Sequence, residues 1–217
     1  MIGGLYDCHV STTRRIGIVL FPGVEELDFV GPWEIFTMTG SANPGVEPRC
    51  VVFTVSQTGG EVVCAKGLRV LADYDFGNAP LADLIVVPGG RGTRSEVDNP
   101  RMIDYLRQAA RTAEVVSSVC TGAFLLERAG LLHGRRATTH WASLDRLRAF
   151  ADIEVVDDQR WVDEGPIVTS QGVSAGIDMA LYLVGRFWGV DAARGVQKMV
   201  EYFPDPPYAN VPTPVTA

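Results

Sequence analysis

The 217-residue chain carries 26 acidic against 19 basic residues, a net charge of −7, and has no Lys/Arg cluster interleaved with aromatics, which argues against a nucleic-acid partner. Its length suits one α/β domain with a sizeable core. There is no apolar run of about 18 residues and no apolar signal-peptide core near the N-terminus, so a cytoplasmic location without a membrane partner is expected.

Cys8, Cys50, Cys64 and Cys120 lie far apart, with no C-x-x-C pair and no closely spaced histidine, so neither a metal site nor a disulfide framework is expected and a reducing compartment fits. Residues 1–14 read as a loose extension. The apolar run 16–21, ended by Pro22-Gly23, predicts a strand buried on both faces in the middle of a parallel sheet. Phe29, Val30, Trp33 and Phe36 recur at helical spacing and predict a helix over 29–39, with Pro32 tolerable in its first turn and Asp28 at or near its start.

A second strand is predicted over 50–56, a hairpin over 61–71 broken at Lys66-Gly67, and a buried strand over 83–87 that ends in Pro88-Gly89-Gly90. A polar-faced helix over 100–111 leads to an apolar strand that stops at Cys120, and the helix that follows closes at Gly130. Beyond it the pattern predicts a short strand over 136–140, a helix over 141–150, and strands over 155–162 and 167–170 around an Asp163-Glu164-Gly165 turn. Helices over 177–188 and 192–202 complete the series, and the proline-rich end from Pro204 cannot continue a helix. The alternation predicts a three-layer α/β/α, flavodoxin-like fold with a mostly parallel twisted sheet. It forms a single domain over 15–208, followed by a proline-rich tail over 209–217.

Cys120 stands where a strand stops and a helix begins at once, the geometry of a nucleophile elbow. The helix dipole and unpaired amides there favour a thiolate, so a partly ionised thiol is expected. The alternative is a buried cysteine acting as a small hydrophobe, against which the small residues Thr121, Gly122 and Ala123 leave room for a ligand.

Ligands of parallel sheets lie beyond the carboxyl ends of the strands, so the loops carrying Asp28, Gly89-Gly90, Cys120 and Gly172-Val173-Ser174 are expected to converge. Gly89-Gly90 reads either as an ordinary turn or as a backbone N–H donor that forms an anion-stabilising pocket with the Thr121 N–H. Asp28 is either a helix N-cap or a carboxyl pressed against the sulfur, where repulsion and desolvation would keep its proton on and let it act as acid or base. Glu25 and Glu26 read as solvated loop charges. His9 falls in the extension and His133 in a turn, which leaves His140, structural or assisting, and no histidine follows it. The chemistry therefore rests on Cys and carboxyl rather than on a Cys-His-Glu triad. Trp33, Phe124, Trp141 and Val173 read as pocket walls or as core.

The motifs Phe21-Pro22-Gly23, Leu27-Asp28-Phe29-Val30-Gly31-Pro32, Val87-Pro88-Gly89-Gly90, Ser118-Val119-Cys120-Thr121-Gly122-Ala123, Ala137-Thr138-Thr139-His140-Trp141 and Gly172-Val173-Ser174-Ala175-Gly176-Ile177-Asp178 together resemble the DJ-1/PfpI superfamily. Within it the chain looks most like the isocyanide hydratases and the amidotransferase-like domain of AraC-type regulators. The hydratase likeness implies Cys120 as nucleophile, Asp28 as acid/base, Thr121 as neighbouring hydroxyl and Gly90 as an oxyanion-side amide, with Gly89, Gly172, Val173 and His140 around the substrate. It also implies hydration of a small electrophile, an isocyanide, to an N-substituted formamide through a covalent thioimidate, in a homodimer without metal or organic cofactor. Thr121 stands where PfpI-type proteases and many glyoxalase-like members have His, and Asp28 stands where DJ-1-like members have Glu; both favour the hydratase branch. Two other readings stand beside it: a ligand sensor, for which the chain length leaves little room for a helix-turn-helix module, and a glyoxalase or deglycase acting on 2-oxoaldehydes.

Overall fold

The computed structural model of the protein describes residues 13–207. The run Ile16 to Phe21 is at most 2% exposed and fills the centre of the sheet as β1 (Thr13–Val19) and the loop after it. The expected extension over 1–14 falls outside the described residues up to residue 12. Thr13 and Arg14 belong to β1, in register with Arg49 and Cys50. Helix α1 (Glu26–Ala42) starts three residues before the predicted position, so Pro32 lies inside it and cannot donate to the Asp28 carbonyl one turn back. Strand β2 (Arg49–Ser56), the hairpin β3 (Gly60–Val63) and β4 (Arg69–Ala72), and a two-residue β5 (Tyr74–Asp75) follow.

The buried β6 (Leu84–Val87) precedes a short α2 (Thr93–Glu96), which the sequence pattern did not predict, and α3 (Pro100–Ala109), where the Asn99 side chain caps the first turn. Strand β7 (Val115–Val119) runs into a 3-10 turn at Cys120–Gly122 and then α4 (Ala123–Arg128). Next come β8 (Arg136–Ala137), a 3-10 turn at Trp141–Ser143, α5 (Leu144–Arg148) and β9 (Glu154–Val155). The chain closes with β10 (Trp161–Asp163), β11 (Ile167–Ser170), α6 (Ala175–Trp188) and α7 (Val190–Met199). Among the described residues no helix is long and apolar enough to cross a membrane.

The strand expected over 155–162 is two pieces. Its first end pairs with β8, its last joins β11 antiparallel, and the polar run Asp157-Asp158-Gln159-Arg160 between them offers nothing apolar to bury. The strand expected over 136–140 stops after two residues because the Thr138 N–H turns to the Thr169 hydroxyl and the Thr139 hydroxyl to the Cys120 carbonyl.

Seven strands form the main sheet in the order β10-β11-β7-β6-β1-β2-β5, parallel throughout except for β10. The chain leaves β1 toward β2 and leaves β6 in the opposite direction toward β7. Right-handed crossovers in opposite directions put α1 on one face and α3 on the other. Helices α6 and α7 join α1, while α2 and α4 pack with α3 into the second group. Adjacent strands β1 and β6 thus flank a topological switch point, where the loops at their carboxyl ends splay apart and leave a crevice.

Ile18 is fully buried in β1. Ile18→Ala is expected to lower the unfolding free energy by about 2–5 kcal/mol in urea titration with an unchanged slope; a loss well under 1 kcal/mol would contradict a central position for this strand.

Candidate active site

Val119 ends β7 in extended geometry, and the next residue, Cys120, has φ of 57°. That left-handed conformation is strained for a residue with a Cβ, at a cost on the order of 1–3 kcal/mol, and persists only where the surroundings dictate it. Here the Cys120 N–H donates to the Gln171 carbonyl at 3.1 Å and its carbonyl accepts the Thr139 hydroxyl at 2.7 Å. The chain is bent into an elbow that holds the sulfur at the carboxyl edge of the sheet. Cys120 is 6% exposed and lines a cleft of about 490 Å³.

Asp28 occupies the third position of α1 and is fully buried. It caps nothing: Glu25 holds the cap position, without a side-chain capping hydrogen bond. One carboxyl oxygen of Asp28 accepts the Gly89 N–H at 2.8 Å, and the other has no partner of ordinary hydrogen-bond geometry among the described residues. The Cys120 thiol lies beside this carboxyl, close enough to hydrogen-bond to it. A Cβ at Gly89 would stand 2.6 Å from the Thr121 nitrogen and 2.9 Å from Asp28 Oδ2, so only glycine lets these three segments meet.

Burial pushes the Asp28 pKa up to about 7, against the pull of the Gly89 N–H and the Cys120 thiol. Burial, and then the Asp28 charge, push the Cys120 thiol up to about 12, against the Thr121 and Val173 N–H groups and the Thr121 hydroxyl. Burial thus works against the partly ionised thiolate expected at this position, while the Thr121 and Val173 amides work toward it. The helix after Cys120 is short, a 3-10 turn and six residues, which limits what its dipole adds. The resting pair is a buried thiol beside a carboxyl that titrates near neutrality.

The anion pocket also differs from the expected one. The Gly89 N–H is taken by Asp28, and the Gly90 N–H by the Thr121 hydroxyl at 3.0 Å. The amides that face the sulfur belong to Thr121 and Val173, the latter at φ of 49°, a second strained residue on the opposite wall. Thr93 donates to the Gly90 carbonyl at 2.8 Å and also reaches the Thr121 hydroxyl at 3.2 Å, tying the glycine turn to the elbow.

His140 lines the same cleft, half-buried, with its pKa lowered by burial and its Nδ1 accepting the Ala142 N–H at 3.2 Å. The neutral ring thus carries its proton on Nε2, and it makes no hydrogen bond to Cys120 among the described residues. Its Cδ2 would lie 2.1 Å from a Cβ at Gly172, so that glycine seats the ring. Of the proposed wall residues, Val173 lines the cleft and Phe124 is buried core; Trp33 is half-buried against the core, and Trp141, 70% exposed, sits at the surface.

Glu25 and Glu26 are not free loop charges. Both are ion-paired with Lys66, whose backbone N–H also donates to Glu26 at 2.7 Å. Glu25, Lys66, Arg91, Thr93, Arg94, Ala142, Ser143 and Arg146 complete the cleft, and none was read from sequence as a site residue. The one signal available for Arg91 and Arg94 was their place just after the Gly89-Gly90 turn. Among the described residues no group of three or more His, Cys, Asp or Glu side chains is placed to hold a metal ion.

The DJ-1/PfpI family model matches residues 14–186. Isonitrile hydratase of Pseudomonas putida is 40% identical over 194 residues, which cover 89% of this chain and 81% of that protein. The HTH-type transcriptional regulator GbdR of Pseudomonas aeruginosa is 33% identical over 150 residues, 69% of this chain but 40% of the regulator. The solved structure of a ThiJ/PfpI family protein from Pseudomonas syringae superposes with a TM-score of 0.81 at 28% identity, covering 96% of this chain and 84% of that one.

A carboxyl raised from 3.8 to about 7 makes folding depend on pH. Between those values the folded state holds a proton that the unfolded chain releases, so the contribution is complete below about pH 4 and is lost as pH rises through 7. Asp28→Asn keeps an acceptor for the Gly89 N–H and has no charge to bury. It is expected to equal the wild type near pH 4 and to exceed it at pH 8 by up to about 4 kcal/mol in urea unfolding; equal stability at pH 8 would mean a solvated carboxyl.

Proposed function

The chain belongs to the DJ-1/PfpI family, and from that premise we propose that it is a cysteine-dependent hydratase that adds water to an isocyanide and releases an N-substituted formamide. The observation that carries the reading is the buried Cys120–Asp28 pair at an elbow, with no histidine bonded to the sulfur among the described residues. The 40% identity to an isonitrile hydratase, over most of both chains, supports it.

In the proposed sequence the ionised Asp28 takes the thiol proton as Sγ attacks the terminal carbon of R–N≡C. The carbanion so formed takes that proton back from Asp28 and becomes the thioimidate R–N=CH–S–Cys120. Water then adds to the same carbon, its proton passing to Asp28 and on to nitrogen, and gives R–NH–CH(OH)–S–Cys120. Collapse to R–NH–CHO breaks the C–S bond, and the hydroxyl proton returns through Asp28 to the sulfur. The Thr121 and Val173 amides stabilise charge on the sulfur as it enters and leaves. Thr121 holds the Gly90 turn through its hydroxyl, and His140 and Gly172 shape the wall opposite. Each proton moves within one dry pair, which is why a second base is not required.

A ligand-sensing role is the second reading, supported by the likeness to GbdR, of which this chain spans 40%. The two readings separate on turnover. The wild type is expected to convert an alkyl or aryl isocyanide to formamide with kcat/KM rising to a plateau above about pH 7, where Asp28 is ionised. Cys120→Ala should abolish the reaction, and Asp28→Asn should lower it about 10²- to 10⁴-fold and remove the inflection. Absence of formamide, or turnover that survives Cys120→Ala, would overturn the hydratase reading; methylglyoxal consumption with lactate formation would favour the glyoxalase alternative.

The protein is further proposed to be a homodimer through α1. Leu27 and Val30 are 38% and 40% exposed on that helix, more than expected of free apolar side chains beside an active-site wall. Sedimentation equilibrium is expected to give twice the chain mass, and Val30→Glu to shift it toward the monomer; a wild-type monomer at micromolar concentration would contradict the assignment.

A further inference from the structure

The mouth of the Cys120 cleft is cationic in a chain that is acidic as a whole. Arg91 lies on the turn after Gly90, Arg94 on α2 just beyond it and Arg146 on α5, so two separate pieces of backbone bring three arginines to one opening. Lys66 is there too, but its charge is met by Glu25 and Glu26, and Glu25 is the cleft's own carboxylate. Some arginines elsewhere meet acids, as Arg148 does with Asp157 and Arg186 with Asp163. Among the described residues, Arg91, Arg94 and Arg146 make no ion pair and no side-chain hydrogen bond. Arg146 is steadied instead by the Phe124 ring, 4.1 Å from its guanidinium carbon, with Glu127 the carboxylate that senses its charge.

Three like charges at one opening repel each other, and among the described residues no ion pair to these arginines offsets the repulsion. An anion placed among them would. A guanidinium offers a planar fork of donors that matches a carboxylate in a two-point contact, and convergent forks fix such a group in direction as well as position. The field of the opening also draws anions in from solvent, an effect that salt weakens.

We propose that the natural substrate carries an anionic group, a carboxylate, beyond its reacting carbon, and that Arg91, Arg94 and Arg146 hold that group at the mouth while Cys120 attacks at the floor. This assignment rests on the hydratase reading for the reacting group and on the arginines alone for the charge. The arginines touch the part of the substrate that does not react, so their contribution falls on KM more than on kcat.

Two matched pairs of probes test it on the full chain: isocyanoacetate against ethyl isocyanoacetate, and 4-isocyanobenzoate against its methyl ester. In at least one pair the acid is expected to be turned over with kcat/KM about tenfold or more above its ester, mainly through KM, and the ratio is expected to shrink at high salt. The combined variant Arg91→Gln, Arg94→Gln, Arg146→Gln is expected to lose far more on the acid than on the ester. Equal turnover of acid and ester in both pairs, or a ratio that survives in the variant, overturns the proposal and leaves the hydratase reading intact. Should none of the four compounds react, the hydratase reading fails and the charge is judged by calorimetry with N-formylglycine and its ethyl ester. Binding of the acid alone, lost in the variant, upholds the anion site; equal binding, or none by either compound, overturns it.

Discussion

Two ionisable groups that have both been taken out of water must share their protons, and the rest of the site follows from this. Burial makes a charge on Asp28 expensive and a charge on Cys120 more so, and each charge raises the cost of the other. Burial resists charge on the sulfur, and the carboxyl stands near its midpoint at neutral pH. In the proposed reaction, charge reaches the sulfur as the proton crosses to the carboxyl. A permanently exposed thiolate would be open to any oxidant or alkylating agent.

The fold makes this pairing possible by bringing the ends of β1, β6 and β7 to one crevice. Asp28 arrives from the first strand, Gly89 from the second and Cys120 from the third, and the chain could not supply them from one segment. The elbow at Cys120 is then locked from the far side by Gln171 and Thr139, which belong to the loops after β11 and β8. Backbone strain at Cys120 and at Val173 is tolerated because hydrogen bonds on both walls leave no relaxed alternative. Pro32 adds a smaller effect, since its missing N–H leaves the Asp28 carbonyl without its helical partner in the turn that carries the acid.

The sheet was legible because its central strands are continuous apolar runs: 16–21, 83–87 and 115–119 admit few other readings in an α/β chain. The convergence of Asp28, Gly89, Cys120 and Val173 was legible for the same reason, since strand order and the carboxyl-end rule fix which loops meet. The ionisation state was not. It depends on how much water each group loses and on the short length of α4, and neither is written in the local sequence. The amide partners were illegible too: Gly89 and Gly90 spend their N–H groups on Asp28 and Thr121, a choice made by ångström-scale packing. The cationic rim was hidden in a different way. Arg146 is more than fifty residues from Arg91, and they become neighbours only once the segment carrying α5 has folded over the elbow.

The cleft is assembled from stretches that begin at Glu25 and end at Val173, with contributions near positions 66, 90, 120 and 140 in between. No single loop or helix of the chain holds even half of it. Recognition is thereby tied to the integrity of the whole molecule: a compound that binds only the folded cleft adds its binding free energy to the stability of the domain. A melting temperature that climbs with added compound would report occupancy directly, with no reaction required, so the protein carries its own indicator for finding what it recognises.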